Sequence, residues 1–300
     1  SPMHCVGPDV ADPRVAKMYL YELIDLGPHV IPQAINNHGL VACNTGDSGG
    51  TWKNGVLTPL PKLPAALSHG QPCGSNNQDV VVGWYNLGPS TMPNALAIRW
   101  QGNAPSLIEA GLYSVARDIN DYGDIVGSYE EVPGSFEEVP VLWKQGVAYT
   151  LSGGRGEALA INNHGVAAGR LTHPYFGGGV GRPYLWEAGA RRALKLPYNY
   201  RGIAKAINDS GIAVGWAYQD APGQGREPWI WPPNTGWTLP MPPGSRGGEA
   251  NDINVHGLVV GKIYMPTLGA HPVSWFGSIL TDLTQVISRP ANFEILEARC

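Results

Sequence analysis

Charge is scarce in this sequence. Asp, Glu, Lys and Arg make up 15% of its 300 residues, well below the quarter usual in globular chains. The 20 basic and 24 acidic residues leave a net charge of −4, and Lys and Arg gather nowhere into a cluster. That argues against nucleic acid or any other polyanion as partner. Long apolar runs are missing too: no segment approaches the ~18 residues of a membrane helix, and no signal peptide is recognised. Helical periodicity is nowhere sustained, which disfavours a helical solenoid. CxxC, HExxH and DxDxDG do not occur, so neither a metal nor a cofactor is expected.

What the chain does have is turn chemistry and apolar strands. There are 40 glycines and 27 prolines, yet 43% of residues are hydrophobic, too many for a disordered chain. Ala34–Asn44 reads AINNHGLVACN, and Ala160–Arg170 reads AINNHGVAAGR. With the Asn after the apolar residue as anchor, equivalents fall at Asn36, Asn76, Asn120, Asn162, Asn208 and Asn254, 40 to 46 residues apart. A second marker follows each one: Trp52, Trp100, Trp143, Trp186, Trp231 and Trp275, 43 to 48 apart. Two markers on one period define a structural repeat.

Within a unit, YSVARDI, DIVGSY, VPVLW and VAYTL read as four short strands, with NDYG as a hairpin turn in which Asx bonds the local backbone and Gly accepts positive φ. Four antiparallel strands in ~43 residues match one propeller blade. The expectation is a single all-β domain over residues 1–300. His38, His164 and His256 share one repeat position in these turns; equivalent turns are spread around a ring, so they are read as structural. The tryptophans are read as packing between blades.

Six units are complete, and both ends carry remainders. FEILEARC at the C-terminus resembles the strand before each turn, while HCVGPDV, RVAKMYL and YELIDLG near the N-terminus resemble the second, third and fourth strands. A seven-bladed β-propeller is therefore the first expectation, its ring closed by one C-terminal and three N-terminal strands; six blades is the alternative. The same alignment sets Cys5 opposite Cys300 within the ~7 Å a disulfide needs, a bridge of about 5 kcal/mol in the chain-entropy account. Cys43 and Cys73 lie on inner strands of neighbouring units, where a bridge or two buried thiols are both open. Two bridges would suit an oxidising compartment.

The string AINNHGxxxG, then a Pro- or His-led strand ending in Trp, resembles the bacterial extracellular repeat family named HAF after its His-Ala-Phe tripeptide. This sequence departs from it at the tripeptide itself, with RPYLW (Arg182–Trp186), EPWIW (Glu227–Trp231) and HPVSW (His271–Trp275). The resemblance implies an exported β-propeller, secreted or periplasmic, and brings no catalytic residues.

The loops joining second to third strands are long and dissimilar, whereas the Asn turns are stereotyped; a scaffold of this kind displays a binding surface. Candidate ligand-binding residues there are Tyr129, Glu138, Tyr175, Phe176, Trp216, Tyr218 and Tyr264, among further charged groups that include Arg226. Aromatics beside carboxylates and Arg suit sugar recognition. The expected function is non-catalytic binding of a glycan or small molecule, or of a cell-surface protein, by a monomer. The rival is a lyase or hydrolase: His271, Glu227 and Arg182 hold one repeat position, four before the Trp, and with His173 could supply acid, base and anion stabiliser at a funnel mouth. TGDSGG (Thr45–Gly50) evokes a serine-protease nucleophile loop, but no matching His or Asp context precedes it.

Overall fold

The computed structural model describes residues 24–286, apart from 47, 64–69, 87–94, 103, 109–112, 133–134, 136, 152–153, 173–180, 198, 220–224, 233–235 and 267–268. Its strands form six four-stranded sheets, each an antiparallel meander of consecutive strands. The blades cover 30–59, 71–107, 114–150, 156–193, 200–238 and 247–282, and are numbered 1 to 6 here. From blade 1 to blade 6, first strands of successive blades lie against one another, and the second strands of blades 1 to 5 pack on the next blade's first strand. First strands therefore surround the axis. Fourth strands such as Val56–Pro59, Val147–Thr150 and Ala190–Ala193 are exposed along their whole length, as a rim is.

The repeated Asn does more than shape its turn. Asn120 Oδ1 accepts from the backbone N–H of Tyr122 (3.0 Å) and Asp124 (2.9 Å), closing its own hairpin. Its Nδ2 donates to the main-chain oxygen of Asn162 in the next blade, 3.1 Å away. The same cross-blade bond runs from Asn36, Asn76, Asn162 and Asn208 to their successors. One side chain thus satisfies groups in two blades, which a hydrophobic residue could not do. His38, His164 and His256 use only their backbone N–H here, with exposed rings, as expected of a structural position. The residue closing each turn is a positive-φ Gly, except in blade 2, where Asp79 holds φ 57°. Its carboxylate accepts from Asn36 Nδ2 and Lys53 Nζ at 2.7 and 2.8 Å.

Every first strand bulges three residues before its Asn, at Gln33, Cys73, Arg117, Leu159, Lys205 and Asn251. The bulge brings the carbonyl two residues earlier over the second strand, where a Cβ would stand 1.9–2.1 Å from it. That is why blades 2 to 6 carry Gly83, Gly127, Gly169, Gly215 and Gly261 at one position. Blade 1 has Cys43 there, fully buried, its Sγ donating to Gly50 O at 3.3 Å. No disulfide joins Cys43 to Cys73; Cys43 is a buried thiol, as the second reading has it, whereas Cys73 is only half-buried. Burial pushes the Cys43 thiol up to about 11, so it packs as a small hydrophobe.

The anchor tryptophans lie between blades as expected. Trp100, Trp143, Trp186, Trp231 and Trp275 are at most 2% exposed. Indole N–H groups reach the strand-end carbonyls of the preceding blade: Trp100 to Pro61, Trp231 to Lys195, Trp275 to Pro240. Trp52 is only half-buried; it packs with Ile24 and Leu26, just ahead of blade 1. The described residues thus form six blades, the alternative count, rather than the seven expected first. The strands assigned to the seventh, and Cys5 and Cys300, lie outside the described residues except for Ile24–Gly27, which is not strand.

Candidate functional site

Each blade's second strand ends, and its third and first strands begin, at the face bearing the long loops, opposite the Asn turns. At that end the five residues before each Asn hold the key polar groups. Two of the six first strands carry a glutamate five before the Asn, Glu157 in blade 4 and Glu249 in blade 6, and both are buried. A buried carboxylate must be paired. The bulge residue of the preceding blade supplies the first partner in both cases. Arg117 Nη2 lies 3.2 Å from Glu157 Oε2, and Lys205 Nζ 2.8 Å from Glu249 Oε2. The residue directly across the hairpin is also basic: Arg170 opposite Glu157, Lys262 opposite Glu249. Arg170 Nε binds Glu157 Oε1 at 2.9 Å. Between these junctions, blades 4 and 5 meet with Leu159 and Ile203 at the same positions.

The two clusters then diverge at one residue. Five before the Trp, blade 3 presents Glu138 and blade 5 presents Arg226. Strand alternation turns that position towards the following blade, away from the side of the Trp. Glu138 therefore faces the Glu157 cluster. Burial raises its carboxyl above the usual range, and the charge of Glu157 adds to this, against Arg117 and Arg170. Arg226 instead adds a third cation to the other cluster: its Nη1 pairs with Glu249 Oε1, which also accepts from Tyr264 Oη at 3.0 Å. Burial would push Glu249 up, but Lys205, Arg226 and Lys262 together bring it down to about 2. Both carboxylate oxygens are occupied, so Glu249 is no proton acceptor at neutral pH. It is a buried template for cations.

The cations are held in place by aromatic rings as well. The Arg226 guanidinium lies 4.1 Å from the Trp216 ring centroid, and Lys262 Nζ 5.8 Å from that of Tyr264. Trp216 is itself buried, with Tyr218 6.1 Å away ring to ring. Of the expected ligand-binding residues, Tyr264, Trp216 and Tyr218 thus gather at blades 5–6, and Glu138 at blades 3–4. Tyr129 points elsewhere, its hydroxyl 2.8 Å from Thr150 Oγ1 on the outer strand. Tyr175, Phe176 and His173 lie outside the described residues. Sequence reasoning did not single out Lys205, Glu249 or Glu157; their signal was the shared spacing from the Asn.

His271, Glu227 and Arg182 go to separate partners. His271 Nδ1 lies 3.1 Å from Asp282 Oδ2 on its own blade's outer strand. Glu227 accepts from Tyr200 Oη at 3.4 Å. Arg182 is exposed at the start of its strand. No contact joins the three among the described residues. In TGDSGG, Thr45 pairs with Ser48 across adjacent strands and their hydroxyls bond each other at 2.8 Å. Among the described residues no group of three His, Cys, Asp or Glu could hold a metal ion, and no helix is long and apolar enough to cross a membrane.

No known protein family profile and no curated protein matches this sequence. Solved structures do match. The chain is similar to acylaminoacyl peptidase of Pyrococcus horikoshii, with TM-score 0.62, 12% identity, and 88% of this chain against 46% of that one covered. It is similar to the β-propeller domain of the trilobed protease from Pyrococcus furiosus, with TM-score 0.57, 14% identity, and 89% against 84% covered. A puromycin-hydrolysing peptidase of Mycobacterium tuberculosis gives TM-score 0.57 at 14% identity, 89% against 46% covered. At such identities the likeness establishes the propeller fold alone. The chain spans under half the length of the two whole peptidases.

Proposed function

We propose that this propeller is a non-catalytic binding module that recognises a glycan through the loop-bearing face, with blades 5 and 6 as the centre of the site. The observation that carries this reading is the Glu249 cluster, where cations are fixed by a saturated carboxylate and by aromatic rings. Groups so fully committed to one another hold and orient a ligand; they do not exchange protons with it. His271 and Glu227, the acid–base candidates, are each spent on a neighbour within the fold. A glycan array followed by calorimetry on the hits tests it. Saturable binding without turnover is expected, and hydrolysis of an ester, peptide or glycoside with no such binding would overturn it.

A hydrolase is the second reading, and one feature favours it. Glu138 lies beside Glu157 and the two arginines that bind it, and burial raises its own carboxyl, as a proton donor's would be. Glu138→Gln would abolish such an activity.

We also propose that a seventh blade, built from both ends, closes the ring. Three features of the described residues support it: no junction like the other five joins blade 6 to blade 1, Trp52 is half-buried, and Leu26 and Ile24 already cover the flank of blade 1. The competing arrangement is an unlatched ring; the trilobed protease propeller is described as having an open velcro topology. Non-reducing peptide mapping distinguishes the two, a Cys5–Cys300 cross-link being expected for closure. An exported, oxidising setting and kinship with the HAF repeats belong to the same proposal.

A further inference from the structure

We propose that the seam between blades 3 and 4 is a proton switch: it grips more firmly at mildly acid pH than at neutral pH, whatever the loop-bearing face binds. The seam holds two acids, Asp118 and Glu138, that form no ion pair among the described residues. Asp118 stands two before the Asn of blade 3 and faces blade 4, where its Oδ2 accepts the backbone N–H of Ile161 at 2.8 Å. Its Oδ1 accepts from the N–H of Ile119, also at 2.8 Å. Blade 2 approaches the same group: a Cβ on Gly74 would stand 2.8 Å from Asp118 Cα and 3.1 Å from its Oδ1. Three blades thus meet at one carboxyl. Blades 1, 2, 4 and 5 carry only Ala34, Gly74, Ala160 and Ala206 at this position.

The titratable groups around the two acids come from four strands. Arg117, from the inner strand of blade 3, and Arg170, from the second strand of blade 4, both bind Glu157 on the inner strand of blade 4. Glu130 lies directly opposite Glu138 on the second strand of blade 3, which also supplies Ser128. From blade 2, Cys73 flanks Gly74. Taking a carboxylate out of water favours its neutral form, and a like charge beside it does the same. Burial raises Asp118 from an ordinary 3.8 to about 6, against the two N–H bonds it accepts. Burial also raises Glu138, and Glu157 adds to it. In both cases the folded value is the higher one. The folded state therefore takes the proton first, and stability rises as pH falls through about 6. The blade 5–6 seam has Ala206 and Arg226 at the two positions, and its Glu249 is lowered to about 2, so it loses support only below about 4.5. Strengthening in mild acid belongs to blades 3–4 and not to blades 5–6.

The test is the thermal melt of the whole chain, without ligand, at about pH 7 and about pH 5. The parent's midpoint should rise by at least about 2 °C on acidification, the shift that one such group produces in a chain of this size. Asp118→Asn, which keeps a carbonyl oxygen to accept an N–H but cannot ionise, should lose most of that rise, and Glu138→Gln should lose part of it. Glu249→Gln, whose linkage lies at lower pH, should keep it. No rise in the parent would overturn the switch, and a rise that Asp118→Asn and Glu138→Gln both retain in full would overturn its assignment to this seam. Should Asp118→Asn fail to fold, hydrogen exchange of the parent decides. The strand Gly156–Ile161, corrected for intrinsic exchange rates, should open at least threefold less often at the lower pH. Equal opening at the two pH values would overturn the proposal.

Discussion

Blades 3–4 and blades 5–6 meet by one design and end with opposite character. Both junctions bury a glutamate at the mouth of the inner strand, brace it with the previous blade's bulge residue, and set a base across the hairpin. The residue five before the Trp then decides the outcome. Glu138 at the first junction brings the cluster to two acids and two bases; Arg226 at the second brings it to one acid and three bases. A repeat protein offers this kind of control within a single chain: what both junctions share belongs to the fold, and what only one has is available for function.

The largest effect should come from the shared skeleton. Gly169→Ala and Gly261→Ala place a Cβ about 2 Å from the carbonyl oxygens of Glu157 and Glu249, so each strand pair must part. Each should lose about 3 kcal/mol, the upper end of what overpacking costs, read as a drop in urea midpoint. If only one of the pair is destabilised, the two junctions are not built alike.

Next come the buried carboxylates. Glu249→Gln breaks the buried ion pairs with Lys205 and Arg226 and should cost about 3 kcal/mol, the range for breaking a buried pair. Glu157→Gln should cost less, since Glu138 remains beside Arg117 and Arg170. Equal losses in denaturant titrations would remove the asymmetry. Acid sharpens the same contrast. Glu249, held at about 2, stabilises the fold above its ordinary value near 4.5, and that support is lost as pH falls from about 4.5 towards 2. Glu138 has the opposite sign: its folded-state value is raised, so stability from this group rises as pH falls through that value. Stability–pH curves of Glu249→Gln and Glu138→Gln should therefore depart from the parent in opposite directions.

A smaller loss, about 2 kcal/mol, is expected for Asn120→Ala, which leaves two turn N–H groups without their acceptor and removes the cross-blade bond to Asn162. Asn254→Ala should cost less, because Asn254 is more exposed than the other five and no cross-blade bond from it is found among the described residues. The smallest effect, a few tenths of a kcal/mol, should follow Asp79→Gly, where relief of the positive φ offsets two lost hydrogen bonds. Thermal melts resolve the ranking.

Much of the fold could be read from spacing. The Asn and Trp periods placed the six blades of the described residues, and the turn chemistry of NNHG and NDYG told which hairpin was copied. The last Gly of AINNHGxxxG was visible in five of the six units, but its cause was not: only a bulge on the neighbouring strand brings a carbonyl over it, and bulges leave no mark in a two-residue alternation. The site was half legible. Tyr264, Trp216 and Glu138 stood out as loop-proximal aromatics and acids, whereas Glu249 and Lys205 sit on the inner strand, away from the loops in which candidates were sought. The triplet His271, Glu227 and Arg182 misled for a related reason. A shared repeat position guarantees equivalent surroundings in different blades, not a common meeting point.

The most direct test of the account exchanges the one residue that separates the two junctions. Arg226→Gln removes the cation that blades 3–4 lack, and it should abolish calorimetric binding of the glycans found on the array while the protein keeps the parent's circular dichroism and a cooperative melt. Undiminished binding by that folded variant would contradict the claim that the third cation makes this junction a site.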